Sequence, residues 1–218
     1  MFETGLDLAF LVIAVLAALD YGLRFSWKQP SLERSATKTT ATVALLIWAA
    51  AQGVPDFILV GLAFAAIGDF AISRAGTLWL TRSAVAFLVS QMCYMIAYSD
   101  FPLSFDVAIG PILLLGFSTT VAAYAIYGVS IVAAPMAGLL HFLVLLTQFA
   151  VTQLFADASV LLAYAGIMFL ISGHLLAAEL ALLENDASER RYTSPLVYST
   201  YFAAQICVVL AFAPIALN

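Results

Sequence analysis

An apolar run that ends in a carboxylate constrains this chain more than any other feature. Residues 61–69 read Gly-Leu-Ala-Phe-Ala-Ala-Ile-Gly-Asp, within an apolar segment at about residues 55–74 that is long enough to cross a bilayer. An ionised Asp at membrane depth is costly, so a chain that keeps one usually has a use for it. Asp69 is therefore the first candidate functional residue. The open alternative is a structural ion pair with Lys38 or Arg74 near the membrane boundary.

The composition of the whole chain favours a membrane protein. Of its 218 residues, 64% are hydrophobic and 10% are charged, whereas soluble domains average about 25% charged residues. A soluble core could not bury this much apolar surface, so we predict an all-α, polytopic membrane protein with one domain over residues 1–218. The first residues lack a signal-peptide pattern, so we expect the first segment to be a retained helix. Cys93 and Cys207 lie in apolar runs and indicate neither a disulfide nor a metal site.

Eight apolar segments follow one another, separated by short polar turns or by turns with Gly and Pro. We predict transmembrane helices at about residues 5–25, 39–53, 55–74, 78–99, 104–128, 131–155, 159–183 and 195–217. A charged loop at residues 184–191 precedes the last of them.

The basic residues indicate the orientation of these eight helices. With the N-terminus outside, all eight Lys and Arg residues fall on or next to the cytoplasmic side, as the positive-inside rule requires. The external loops carry Asp56, Asp100 and Asp157 instead. We therefore predict an N-out and C-out topology, and we expect the protein in a bacterial inner (cytoplasmic) membrane.

This topology brings the intramembrane polar groups to one depth, in the cytoplasmic half of the bilayer. They are Asp20, Lys38, Asp69, Gln91, His141, Ser172, His174, Glu179, Tyr201 and Gln205. Scattered structural residues would not share a depth, whereas the lining of a pocket open to the inner leaflet would.

Short motifs recur in order along these segments. They are Lys38 before the second, Gly68-Asp69 at the end of the third, Phe87 and Tyr94 in the fourth, Gly166, Phe169 and Ser172 in the seventh, and Tyr201 and Gln205 in the eighth. Each motif is weak alone. Their order and spacing over about residues 38–205 resemble the YhhN family of lysoplasmalogenase-like membrane proteins.

The chain departs from the pattern of that family at several polar positions. Thr39 stands where the family has Pro, Gln91 where it has His, and Gly173 where it has a second Asp. The Tyr-and-Met motif of the sixth segment would fall on His141 and Gln148. Because several polar positions have changed together, either a different substrate or a lost activity is compatible with the sequence.

The resemblance implies a reaction, hydrolysis of the vinyl ether bond of a lysoplasmalogen to a fatty aldehyde and a glycerophospho head group. That chemistry needs a proton on carbon and then a water added to the oxocarbenium ion, and two carboxyl groups suit these tasks. Asp69 would be one of them. With Gly173 in place of the other, Glu179 and His174 are the remaining candidates for catalysis. The candidate substrate-binding residues are Lys38, Gln91, Tyr94, His141, Ser172, Tyr201 and Gln205. We expect no cofactor and no metal.

Structural interpretations stay open for most of these residues. Lys38 can be a snorkelling residue at the interface or a ligand for a lipid phosphate. His141 and His174 can be core histidines, and Gln91 and Gln205 can form interhelical hydrogen bonds.

Two functions of different classes therefore compete. One is a membrane-embedded hydrolase that acts on lysoplasmalogen or a related lysolipid, and the other is a catalytically inactive family member that acts as an accessory or lipid-binding subunit of a larger membrane complex. A small transporter is less favoured, since no inverted repeat is evident. Nucleic-acid binding has no support, because the sequence has no basic stripe.

Overall fold

The structure is a computed structural model that describes residues 5–98, 159–184 and 186–213. The predicted fifth and sixth helices, and with them His141, lie outside the described residues. The described residues contain helices and turns and no strand, so the all-α prediction is confirmed for them. The single-domain assignment to residues 1–218 stays a prediction.

Six α-helices and one π-helical turn make up the described part of the chain. They are α1 (Gly5–Asp20), the π turn (Tyr21–Phe25), α2 (Leu32–Ala51), α3 (Asp56–Ile72), α4 (Thr77–Tyr98), α5 (Val160–Leu182) and α6 (Arg190–Phe212). Four stretches are long and apolar enough to cross a membrane: Asp7–Phe25, Thr77–Tyr98, Val160–Leu180 and Arg190–Phe212. The other two helices fall short of that standard, α3 because it has 17 residues and α2 because its first two turns carry charged residues.

Two helices begin earlier than the sequence predicts. α2 begins at Leu32 because Ser31 caps it, accepting a hydrogen bond from the Arg34 amide at 3.1 Å. α6 begins at Arg190, five residues before the predicted start at Pro195, because the amide of Thr193 already bonds to the Glu189 carbonyl. The earlier start of α2 matters for the site, since it places Lys38 inside the helix and not at its boundary.

The helices pack in sequence-adjacent pairs that α6 then joins. α2 packs against α1 and α3, α3 packs against α4, and α5 packs against α6, which also touches α2, α3 and the π turn. Two glycines bring α3 close to α4. A Cβ on Gly61 would overlap the Tyr94 ring, and a Cβ on Gly68 would lie 2.8 Å from the Phe87 ring.

The distribution of apolar side chains is that of a protein in lipid. Small residues and buried aromatic rings fill the contacts between helices, whereas many large aliphatic side chains face outward. Leu16, Leu19, Leu23, Ile67 and Leu182 are all more than half exposed. Such extensive apolar exposure is unusual for a soluble monomer and is expected of helices that face acyl chains.

Candidate functional site

Asp69 lies at the meeting point of three helices. It is in the last turn of α3 and is fully buried. Its Oδ2 accepts hydrogen bonds from Thr42 Oγ1 of α2 at 2.5 Å and from the Tyr201 hydroxyl of α6 at 3.0 Å. Its Oδ1 lies 3.1 Å from Lys38 Nζ of α2. The carboxylate therefore joins α2, α3 and α6 through one side chain.

Lys38 is buried beside Asp69 within a cage of three tyrosine rings. Its Nζ lies 5.6 Å from the ring centroids of Tyr21 and Tyr198 and 5.5 Å from that of Tyr201. A cation near aromatic faces is stabilised electrostatically, and more strongly when it is desolvated. The rings thus hold the ammonium at a fixed place next to Asp69. The distance of 3.1 Å between Lys38 Nζ and Asp69 Oδ1 identifies Lys38, and not Arg74, as the ion-pair partner of Asp69.

Two buried polar atoms of α6 lack a hydrogen-bond partner among the described residues. They are the Tyr198 hydroxyl and Gln205 Nε2, on either side of Tyr201 along the helix. Buried polar groups are normally hydrogen-bonded to protein or to ordered water. Each of these atoms therefore indicates a place where water or a polar ligand binds.

A second hydrogen bond extends the polar region along α4 and α6. The Tyr94 hydroxyl donates to Gln205 Oε1 at 2.5 Å, and both side chains are fully buried. Gln205 lies four residues after Tyr201, one turn along α6. Gln91 is buried one turn before Tyr94 on α4.

The remaining predicted site residues have other neighbours. Ser172 Oγ donates to the Val197 carbonyl at 2.8 Å, which ties α5 to α6. His174 is half-buried, and its Nδ1 lies 2.7 Å from the carbonyl of Leu170 in its own helix. Neither contact involves Asp69 or Lys38, so the catalytic role predicted for His174 gains no support from its geometry.

Glu179 belongs to a separate polar cluster at the corner between α5 and α6. Its carboxylate accepts hydrogen bonds from Thr193 and from Ser194, the latter at 2.8 Å, and lies 3.7 Å from Arg190 Nη1. Arg190 also donates to the carbonyls of Glu179 and Leu183 at 3.0 Å each and to that of Glu184 at 2.8 Å. A cation that binds the last carbonyls of a helix stabilises its C-terminus. The contacts of Glu179 therefore favour a structural role.

Three residues of the site were not among the sequence predictions. Thr42 lies four residues after Lys38, so helical spacing alone places it on the same face of α2. Tyr198 likewise precedes Tyr201 by one turn of α6. Tyr21 has no such signal, because its position depends on the π turn that directs its ring against Tyr198, at 4.4 Å between centroids.

Metal binding has no geometric basis in the described ranges, where no three His, Cys, Asp or Glu side chains cluster in a way that could hold an ion.

A protein-family model covers the part of the chain that contains Lys38, Asp69, Tyr94, Tyr201 and Gln205. The YhhN family model matches residues 33–212, most of the chain. The chain belongs to the YhhN family. The resemblance seen in the sequence is therefore confirmed, and with the apolar helices it identifies an integral membrane protein of this family. No curated protein and no solved structure shows a significant match to the chain.

Gly173 is buried on α5, one turn after Phe169, whose ring centroid lies 6.1 Å from that of Tyr201. Among the described residues, Asp69 is the one carboxylate in contact with Lys38, Thr42 and Tyr201.

Proposed function

We propose that this protein hydrolyses the vinyl ether bond of lysoplasmalogen or of a related lysolipid at the site around Asp69. The observation that carries the proposal is the buried Lys38–Asp69 pair, in which Nζ and Oδ1 lie 3.1 Å apart. Ionisable groups inside a membrane protein usually serve function. A buried acid–base pair of this kind is well suited to transfer a proton to a bound lipid.

The pair holds one proton that can move without changing its net charge. Lys38 ammonium with Asp69 carboxylate, and Lys38 amine with Asp69 carboxylic acid, carry the same total charge. In the second form, Asp69 gives its proton to the vinyl carbon farther from the ether oxygen. The electrons of the double bond form the new C–H bond, and the adjacent carbon and oxygen become an oxocarbenium ion.

Water completes the reaction with the same carboxylate as base. The water oxygen bonds to the oxocarbenium carbon, and Asp69 takes the proton that the water loses, which restores its starting form. The resulting hemiacetal breaks its bond to the glycerol oxygen and yields a fatty aldehyde and a glycerophospho alcohol. One substrate and one water give two products, so a single carboxyl group suffices in the absence of an Asp at position 173.

Thr42 and Tyr201 act as positioning residues in this scheme. Both hydroxyls bond to Oδ2, so Oδ1 stays directed toward Lys38. The three tyrosine rings limit the movement of the Lys38 ammonium. A fixed donor beside a bound carbon is what general acid catalysis requires.

The proposed membrane arrangement has eight spans with both termini outside, in a bacterial inner membrane. The positive-inside distribution of the eight basic residues supports this orientation. Asp69 is one turn from the end of α3 and Lys38 is in the second turn of α2, so both would lie at the cytoplasmic side. The substrate would then enter from the inner leaflet.

A second candidate function is a catalytically inactive lipid-binding or accessory subunit of a larger membrane complex. The specific observations that favour it are Gly173 and Gln91, which replace the Asp and His expected from the family resemblance. In that case the Lys38–Asp69 pair would only hold α2, α3 and α6 together.

Aldehyde release from a lysoplasmalogen by the purified protein distinguishes the two. The hydrolase proposal predicts release by the native chain and loss of at least about a hundredfold in Asp69→Asn, the range of general acid–base contributions. Asp56→Asn is the matched control, since Asp56 is exposed at the other end of the same helix. Full activity in Asp69→Asn would refute the role of Asp69. No release by folded native protein, together with its copurification in a stable complex, would favour the accessory subunit.

A further inference from the structure

A cleft at the surface lies between two charged loops, directly over the helix ends that lead to Asp69. Its volume is about 670 Å³, within the range of about 300–1,000 Å³ for small-molecule sites. Its lining includes Phe25, Trp27, Lys28, Glu33, Asp186 and Arg191. These residues come from the connection between the π turn and α2, and from the start of α6 with the loop before it.

The cleft carries two positive and two negative side chains that are not paired with each other. Lys28 and Arg191 are basic, Glu33 and Asp186 are acidic, and all four are exposed. None of the four takes part in an ion pair among the described residues, where the three ion pairs are Arg24–Asp20, Lys38–Asp69 and Arg190–Glu179. Separate charges of both signs around one cavity complement a ligand that carries both signs itself.

Aromatic rings add a further feature that suits such a ligand. Phe25 and Trp27 both line the cleft, and the Lys28 ammonium already lies 4.9 Å from the Phe25 ring centroid. Aromatic faces bind ligand cations, including quaternary ammonium groups. Trp side chains also favour the level of lipid head groups.

The cleft lies about one to two helical turns from the buried site around Lys38 and Asp69. Lys38 follows Glu33 by five residues along α2, about 7.5 Å at 1.5 Å per residue, and Tyr198 follows Arg191 by seven residues along α6, about 10 Å. Tyr21 similarly lies one turn inward from Phe25. Three elements therefore run from the wall of the cleft to the tyrosine cage of Lys38.

Arg34 connects the two regions through hydrogen bonds. Its Nη1 donates to the Lys28 carbonyl at 2.6 Å, its Nη2 to the Ser26 carbonyl at 3.0 Å, and its Nε to the Tyr21 hydroxyl at 3.4 Å. One side chain thus holds the segment that forms the cleft wall and the ring that faces Lys38. The cleft is therefore a fixed part of the fold and not only a gap between loops.

We infer that this cleft binds the zwitterionic head group of a phospholipid, with the phosphate near Lys28 and Arg191 and the ammonium near Glu33, Asp186 and the aromatic rings. The inference concerns binding and does not require that Asp69 cleaves the lipid. It holds for a hydrolase and for a lipid-binding subunit alike.

Native mass spectrometry of the full chain in maltoside micelles tests this inference. The probes are lysophosphatidylethanolamine, which is zwitterionic, and lysophosphatidylglycerol, which is anionic. Both are ester lipids without a vinyl ether, so binding is measured apart from vinyl ether cleavage. The native chain should bind the zwitterionic lipid about tenfold more tightly. Equal binding, or a preference for the anionic lipid, would overturn the inference.

Two charge-neutralised variants separate the two halves of the cleft. Lys28→Gln with Arg191→Gln should weaken binding of both lipids about threefold to tenfold, the range for two exposed charge contacts. Glu33→Gln with Asp186→Asn should weaken only the zwitterionic lipid and strengthen the anionic one. The control pair is Arg82→Gln with Asp56→Asn, which removes one exposed charge of each sign outside the cleft.

The lipid affinities of these variants test the inference without any measurement of turnover. The inference would be overturned if both cleft variants bound the lipids as tightly as the native chain, or if the control variant lost as much lipid affinity as the cleft variants. Soluble glycerophosphoethanolamine then identifies the source of the affinity. If it displaces the lysolipid, the head group alone is sufficient, and if it does not, the site requires the lipid form.

Discussion

Lys38 Nζ and Asp69 Oδ1 lie 3.1 Å apart between α2 and α3, with both residues buried. Each would be costly alone at this depth, since an unpaired charge in a low-dielectric interior loses its hydration without compensation. Together with Thr42 and Tyr201 they form a polar connection that joins α2, α3 and α6. The stability of the helix packing and the proposed chemistry therefore depend on the same four side chains.

The first prediction concerns the cost of breaking this pair. Lys38→Met leaves Asp69 buried without its cation, and we expect the free energy of unfolding to fall by about 3–5 kcal/mol. The double variant Lys38→Met with Asp69→Leu removes both charges and should recover much of that loss. Unfolding in mixed micelles measures both.

The exposed pair of Arg24 and Asp20 provides the control for this measurement. Arg24→Gln should change the free energy of unfolding by less than about 1 kcal/mol, because exposed ion pairs contribute little. A Lys38→Met protein as stable as the native chain would contradict a tightly coupled pair.

The second prediction concerns the two hydroxyls that bond to Asp69 Oδ2. Tyr201→Phe and Thr42→Val should each lower turnover about tenfold, equivalent to about 1.4 kcal/mol in the barrier, because the carboxylate loses one orienting bond. Tyr164→Phe is the matched control, since Tyr164 is exposed on α5. If kcat were unchanged in both site variants, Oδ2 would not need these donors.

The third prediction tests the close approach of α3 and α4. Gly61→Ala should destabilise the protein by about 1–3 kcal/mol through overpacking, because the new Cβ would overlap the Tyr94 ring and lie 3.2 Å from the Ser90 carbonyl. Gly22→Ala is the control, since its Cβ would have only an ordinary contact at 3.8 Å.

Gly68→Ala extends the same test to the turn that holds Asp69. Its Cβ would press on the Phe87 ring, which packs edge-on against Tyr201. Phe87→Leu should restore part of the lost stability in the Gly68→Ala background. No rescue would mean that the strain is not at this contact.

The fourth prediction separates structural from catalytic carboxylates. Glu179→Gln and Arg190→Gln should lower stability by about 1–3 kcal/mol, because each leaves buried partners unsatisfied at the corner of α5 and α6. Turnover per folded molecule should stay close to that of the native protein. A folded Glu179→Gln protein without turnover would instead support the catalytic role predicted from the sequence.

Much of the fold follows from hydrophobic segments alone. The predicted helix at about 159–183 compares with Val160–Leu182 in the structure, because this segment has neither proline nor charges in its interior apart from Glu179. The start of α2 was predicted seven residues late, since its first turns are polar. Ser31 caps this polar stretch, and helix formation there does not depend on apolar character.

The site was predictable where each residue carries its own signal. Asp69 and Tyr201 were named from their position in apolar segments and Lys38 from its position just before one, and the structure brings them together. Tyr21 could not be found this way, because only the π turn and its packing against α6 direct the ring toward Lys38. Glu179 shows the opposite difficulty. The sequence left it as a candidate catalytic carboxylate, whereas Arg190, Thr193 and Ser194 on the next helix determine its contacts.

Hydrolysis in deuterium oxide tests the proposed role of Asp69 most directly. A proton delivered to carbon by a group in exchange with solvent puts one deuterium on the carbon next to the aldehyde carbon. Reduction of the product with borohydride as it forms fixes that label for mass spectrometry. We predict singly deuterated product from the native protein and none above background from Asp69→Asn. Fatty aldehyde without that deuterium, or equal labelled product from the variant, would contradict proton transfer from Asp69.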